Sequence, residues 1–203
     1  MWLLNFFFVL WQLQTMFEPP RLTQLLPVGH NPNTVASTWV IGDLDVGVDG
    51  SVKSATALKG DSPLPGTVLS SVSRWRFAPA NATAPVESRV ATVFLFRSRD
   101  IFPYSGPDLA GISVAGLTRP PVPISLSDPG YPATSIAEGE VILELRLSET
   151  GAIQNVRVVS GVPGLTEFTE RAVRTWRFAG SLWNGMPVPG TVVAVVSYLR
   201  PAV

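Results

Sequence analysis

Cysteine is absent from the 203 residues, which excludes disulfides, thiolate metal sites and a cysteine nucleophile. Charge is scarce as well. Charged residues make up 15% of the chain, and the 15 basic and 15 acidic side chains cancel, where a typical soluble protein carries about 25% charged residues. There are only two lysines, Lys53 and Lys59, and no basic run. A nucleic-acid partner and a polybasic membrane-surface patch are therefore not expected. The one histidine, His30, sits in a Pro/Asn-rich stretch and reads as a solvated loop residue. Catalytic signatures are missing too: there is no Gly-x-Ser-x-Gly, no His-Glu-x-x-His, no P-loop and no paired Cys/His cluster. Asp43 and Asp45 share one strand face and read as solvated. No enzyme activity, catalytic residue, cofactor or metal is expected.

What the chain does have is a repeat. Residues 38–83 align without a gap on residues 139–184 at a constant offset of 101. Val40, Leu44, Gly50, Gly60, Leu64, Val72 and Trp75-Arg76-Phe77-Ala78 meet Val141, Leu145, Gly151, Gly161, Leu165, Val173 and Trp176-Arg177-Phe178-Ala179. After one inserted residue, Pro85, Val86, Val90 and Val93 meet Pro187, Val188, Val192 and Val195. Two copies are too few for a solenoid, so a duplicated module is expected.

Hydrophobic periodicity gives the module its elements. Val141, Leu143, Leu145 and Leu147 alternate with Ile142, Glu144, Arg146 and Ser148, a half-buried strand. Thr150-Gly151 and Asp49-Gly50 are turn signals, and second strands follow over 152–160 and 51–59. Leu165, Phe168, Ala172, Val173 and Trp176 recur at helical spacing, as do Leu64, Val68, Val72 and Trp75, with Ser62 and Pro63 as cap and first turn. The last strands, Val192–Leu199 and Val90–Phe96, are apolar almost throughout, which is the pattern of a strand covered on both faces. The expected fold is α+β: two β-β-α-β modules, each with an antiparallel three-stranded sheet and one helix. The expected division is an apolar anchor or signal-like segment at 1–17, a proline-rich spacer at 18–34, a first module at 35–99, a proline-rich connector at 100–130 and a second module at 131–203. The spacer is expected to be extended, on the order of 50 Å long; the connector, too apolar for a plain linker, is expected to pack across the modules. Residues 1–17 carry no charge. They fit an uncleaved anchor, an atypical export signal, a start lacking upstream residues, or a buried helix.

The second copy resembles the TonB C-terminal domain, the periplasmic end of the energy transducer of Gram-negative outer membranes. The resemblance rests on Tyr131-Pro132, Ala137-Glu138-Gly139-Glu140-Val141, Thr150-Gly151, Val156–Gly161, Arg174–Phe178 and Gly185-Met186-Pro187-Val188 with the last strand. The first copy is a degenerate example that keeps Asp49-Gly50, Arg74–Pro79 and Pro85-Val86. The resemblance implies that the module recruits the TonB box of an outer-membrane transporter as an added strand beside its own last strand. It implies partner-binding residues Tyr131, Pro132, Val188, Val192, Val193, Val195, Val196, Ser197 and Tyr198, with Val188–Leu199 as the open edge. It further implies a periplasmic location with residues 1–17 as inner-membrane anchor, transporters and proton-driven inner-membrane motor proteins as partners, and energy-dependent uptake as the role. A free apolar edge would also favour a homodimer. Residues 1–17 hold no histidine and 18–34 are short, which keeps a second reading open. In it the protein is a non-energised periplasmic scaffold whose two modules pair with each other, their last strands side by side in one sheet.

Overall fold

The computed structural model describes residues 17–28, 37–61, 64–98 and 104–199. In chain order they form β1 (Arg21–Gln24), β2 (Thr38–Val46), β3 (Val52–Lys59), α1 (Leu64–Val72), β4 (Arg76–Ala78), β5 (Ala80–Asn81), β6 (Pro85–Val86) and β7 (Ser88–Arg97). These are followed by β8 (Val122–Ser125), β9 (Gly139–Leu147), β10 (Ile153–Ser160), α2 (Thr166–Val173), β11 (Arg177–Ala179), β12 (Ser181–Trp183), β13 (Met186–Val188) and β14 (Gly190–Tyr198). The class is α+β, mostly sheet with two helices. The anchor or signal-like expectation falls, apart from Phe17, outside the described residues, as does the cap expected at Ser62 and Pro63. Among the described residues no helix is long and apolar enough to cross a membrane.

The hairpins form where the turn chemistry requires. Gly50 and Gly151 take φ of +75° and +86°, a region open to glycine at little steric cost. A Cβ at either would also overlap the carbonyl oxygen of Phe77 or Phe178, which crosses directly over the turn.

Six strands make one sheet in the order β10-β9-β14-β7-β2-β3. Each half contributes three antiparallel strands, β3-β2-β7 and β10-β9-β14, and the two sets are continuous in a single sheet. β14 and β7 join the halves, and they run parallel, from Val192 beside Ala91 to Tyr198 beside Arg97. The physical reason lies in their composition: both strands are apolar on both faces, so each needs cover above, below and along its edge. Parallel pairing of two similar halves turns one over relative to the other, so their helices fall on opposite faces. On one face Leu64, Val68 and Val72 of α1 pack with Val193 and Val195 of β14 and Ile142 of β9. On the other, Leu165, at the N-cap of α2, and Val173 within it pack with Trp39 and Ile41 of β2 and Val93 of β7. Each core thus draws on both halves. The rings of Trp39 and Trp176 meet edge-on at 6.0 Å across the seam. On α2 the inward positions are Leu165, Thr169 and Val173. Phe168, expected in the core stripe, is half-buried, because four-residue steps from Leu165 select Thr169 instead.

The spacer expectation is also corrected. Residues 18–28 lie against the sheet rather than extending from it: β1 pairs with β4, and Leu22 and Val28 are buried. The connector does the same on the opposite face, where β8 pairs with β11. The two straps correspond residue by residue. Trp75 Nε1 donates to the Leu26 carbonyl at 3.0 Å, and Trp176 Nε1 donates to the Ser127 carbonyl at 2.9 Å. Leu22 pairs with Phe77 as Pro123 pairs with Phe178. Truncating either buried tryptophan to alanine removes a packed ring and this bond, a cost of about 3–5 kcal/mol.

Candidate interaction surfaces

The strand expected to be a free edge is interior. β14 pairs antiparallel with β9 from Gly190 to Tyr198 and parallel with β7 on its other side. Val192, Val193, Val195, Val196, Ser197 and Tyr198 are all buried. The open edge anticipated at Val188–Leu199 is therefore replaced by a closed seam. Val188 lies apart, on β13, in a small cluster with Phe17 and Ala80. Tyr131 is buried, donates its hydroxyl to the Ala137 carbonyl and meets the Tyr198 ring edge-on at 5.7 Å. Pro132 beside it is half-buried. The Tyr198 hydroxyl shares a 2.8 Å hydrogen bond with Thr169 Oγ1, and burial, the largest influence, pushes the phenol above its ordinary pKa. The structure so brings Tyr131 and Tyr198 together at the end of the seam and leaves Val188 elsewhere.

Three buried carboxylates, Asp43, Asp128 and Glu144, are each paired with a guanidinium group. Arg97, at the end of β7, and Asp128, in the connector, form a 3.0 Å ion pair with both side chains fully buried. Asp128 also accepts from the Tyr104 and Gly130 amides at 2.8 and 2.9 Å. Asp43 is paired with Arg89. Burial, the dominant influence, raises the Asp43 pKa despite the hydrogen bonds from Arg89. Glu144 is chelated by Arg157 through Nε at 3.1 Å and a terminal nitrogen at 2.9 Å. Asp43 and Glu144 are each 2% exposed and stand 101 residues apart. The expectation of a solvated face at Asp43 is overturned because the connector covers that side of β2. Arg89 donates to the Thr118 carbonyl from there, at 3.4 Å.

The outer edges of the sheet are β3 and β10. β3 carries both lysines, Lys53 held by Asp49 at 3.1 Å and Lys59 by Asp108 at 3.6 Å. These contacts, with hydrogen bonds from Ser51 to Asp49 and from Ala110 to Asp108 as the larger causes, hold both carboxyls below the ordinary range. Lysines on an outer strand discourage edge-to-edge pairing. An open cleft of about 720 Å³ lies near the β2–β3 turn, lined by Asp45, Lys53, Glu87, Arg89 and Trp183 among others. Its charges are of both signs. Among the described residues no group of three His, Cys, Asp or Glu side chains is placed to hold a metal ion.

Residues 128–198 match the family model for the C-terminal region of the Gram-negative bacterial TonB protein. They form a TonB C-terminal-like domain. No curated protein and no solved structure matches the chain. Members of this family are non-enzymatic energy transducers and interaction proteins, and the domain is known to interact with outer-membrane transporters. The match begins at Asp128, the partner of Arg97, and ends at Tyr198, the last residue of β14. The TonB C-terminal-like domain therefore supplies β9, β10, α2 and β14, one of the two central strands, and β7 of the other half lies along it.

Two features escaped the sequence reading although their signals were present. The straps are announced by Glu18-Pro19-Pro20 and Arg119-Pro120-Pro121, which stand at the same offset of 101. The buried carboxylates are announced by Asp43 and Glu144, an acid retained at one position of both copies.

Proposed function

We propose that this protein is a TonB-related periplasmic interaction protein of the scaffold kind. Its two modules, residues 35–99 and 131–203, each occupy the strand edge that the other would offer to a transporter. The observation that supports this is the parallel ladder between Val192–Tyr198 and Ala91–Arg97. Strand addition needs unpaired main-chain groups along an exposed edge, and β14 is paired on both sides. Energised uptake through this strand would first require the two halves to part along a seam buried on both faces.

The family match favours a second reading, since it extends over the whole of β14. In that reading a transporter's TonB box adds at Val188–Tyr198 beside Tyr131 and Pro132, with β7 displaced, and residues 1–17 tether the protein to the inner membrane near a proton-driven motor. Backbone-amide NMR of the full chain, titrated with an extended TonB-box peptide, separates the two. The scaffold reading expects no saturable shifts along Val192–Tyr198 up to millimolar peptide. Saturable shifts concentrated there would overturn it.

A further inference from the structure

The N-terminal strap is held in a way that the connector is not. Residues 18–24 cross the face of β14, β9 and β10 opposite α2. Pro19 and Pro20 are buried, and the Pro20 carbonyl accepts from Thr191 Oγ1 at 2.6 Å. At Leu22 the Glu144–Arg157 pair grips both main-chain groups of a single residue. The Leu22 amide donates to Glu144, and Arg157 donates to the Leu22 carbonyl at 2.9 Å. The Leu22 side chain is buried in the core cluster that also holds Phe77 and Val193. The Pro19, Pro20 and Leu22 side chains are buried, and the Thr23 hydroxyl donates to the Arg76 carbonyl at 2.9 Å. Beside these contacts the strap is held through main chain, by this grip and by its ladder to β4 and the Glu18–Asn81 amide pair, as in the docking of an extended peptide.

The two straps differ in what their removal would leave behind. Asp128 of the connector pairs with Arg97 where both are fully buried, so withdrawing the connector would break a buried ion pair by taking away one of its partners, a strongly destabilising event. Glu144 and Arg157 neutralise one another within the sheet, and withdrawing residues 18–24 leaves that pair intact. In the other half Arg89 similarly reaches a connector carbonyl, that of Thr118, while both oxygens of Asp43 are engaged by Arg89. Val162 also has its amide and carbonyl engaged by one side chain, the Thr166 hydroxyl, but at Leu22 the grip comes from a charged pair and reaches across from another segment.

We infer that this face of the TonB C-terminal-like domain is a recognition groove for an extended Pro-Pro-x-Leu segment of a partner polypeptide, filled here by residues 19–22 as an internal ligand. The prolines suit such a ligand because they are stiff before binding and lose little freedom on docking. The Glu18–Arg146 pair, 3.5 Å apart and exposed, adds little. The inference rests on the reading of the chain as an interaction protein, and gives it a partner site that the closed seam leaves available.

The test uses the full chain carrying Leu22→Asp, which weakens the internal ligand, titrated with a synthetic peptide of residues 17–28. Saturable amide shifts are expected at Leu143–Arg146 and Asn155–Val158. The intact chain should bind at least about tenfold more weakly, because its own strap competes at high effective concentration. Adding Glu144→Ala should weaken binding by a further factor of about ten or more, the usual effect of losing a charge-assisted hydrogen bond. A folded Leu22→Asp chain that shows no saturable shifts at those residues overturns the inference. Shifts along Val195–Tyr198 instead would overturn both this inference and the sealed seam.

Because Leu22→Asp can disturb folding, a second measurement uses the natural strap in a chain cut once between residues 30 and 34. The cut strap should stay bound and exchange with added labelled peptide. Loss of the fold on cutting, or a strap that never exchanges, would make residues 18–24 part of the core and overturn the inference.

Discussion

Asp43 shows how one side chain sets a pH response. Burial raises its pKa above the ordinary 3.8, so the folded state holds this proton at a pH where the unfolded chain has released it. Its contribution to stability is then fully present below the unfolded value and is lost as pH rises through the folded one. Asp49 and Asp108, with lowered values, act in the opposite sense and lose their contribution on acidification. Urea melts of Asp43→Asn between neutral pH and about pH 3.5 should therefore fall more steeply with acid than those of the parent, because the compensating proton uptake is gone. An unchanged slope would mean that Asp43 is solvated. Two Asp residues on one face of a strand, as Asp43 and Asp45 are, are ordinarily read as facing water. The burial of Asp43 depends on the connector lying over β2, a contact between segments far apart in sequence. Glu144 was hidden in the same way, because the strap that covers it begins more than a hundred residues earlier.

At the scale of elements, the turns, strands and helices were legible because their signals are local. Asp49-Gly50, Thr150-Gly151 and the alternation over Val141–Leu147 fix hairpins without reference to the rest of the chain. The role of the last strand was not legible. A run such as Val192–Leu199 shows that both faces are covered, but its composition does not distinguish an open edge from a sheet centre. The difference is measurable. Val195 stands between Phe94 and Ile142, so Val195→Pro removes a ladder donor from the middle of six strands. We expect a loss of about 3–5 kcal/mol and a lowered thermal midpoint for the whole protein. Were β14 an edge, the same change would spare the melt and affect only partner binding.

At the scale of the whole molecule, each face of the sheet is packed with side chains from both halves, so one cooperative unfolding transition follows. Separating the halves should expose β7 and β14. A chain of residues 104–203 is expected to self-associate at micromolar concentration, seen by light scattering on a sizing column, while the full chain elutes as a monomer. A well-behaved monomeric second half would contradict the dependence of β14 on β7. The seam has one more consequence, in time rather than in space. Its two strands are separated by about a hundred residues of chain, so a ribosome that has just released Arg97 must work for about 5–20 s before Tyr198 follows. For that interval the most apolar strand of the first half has no mate of its own. The growing polypeptide passes through a vulnerable adolescence, in which meeting a neighbouring nascent chain competes with waiting for its own second half.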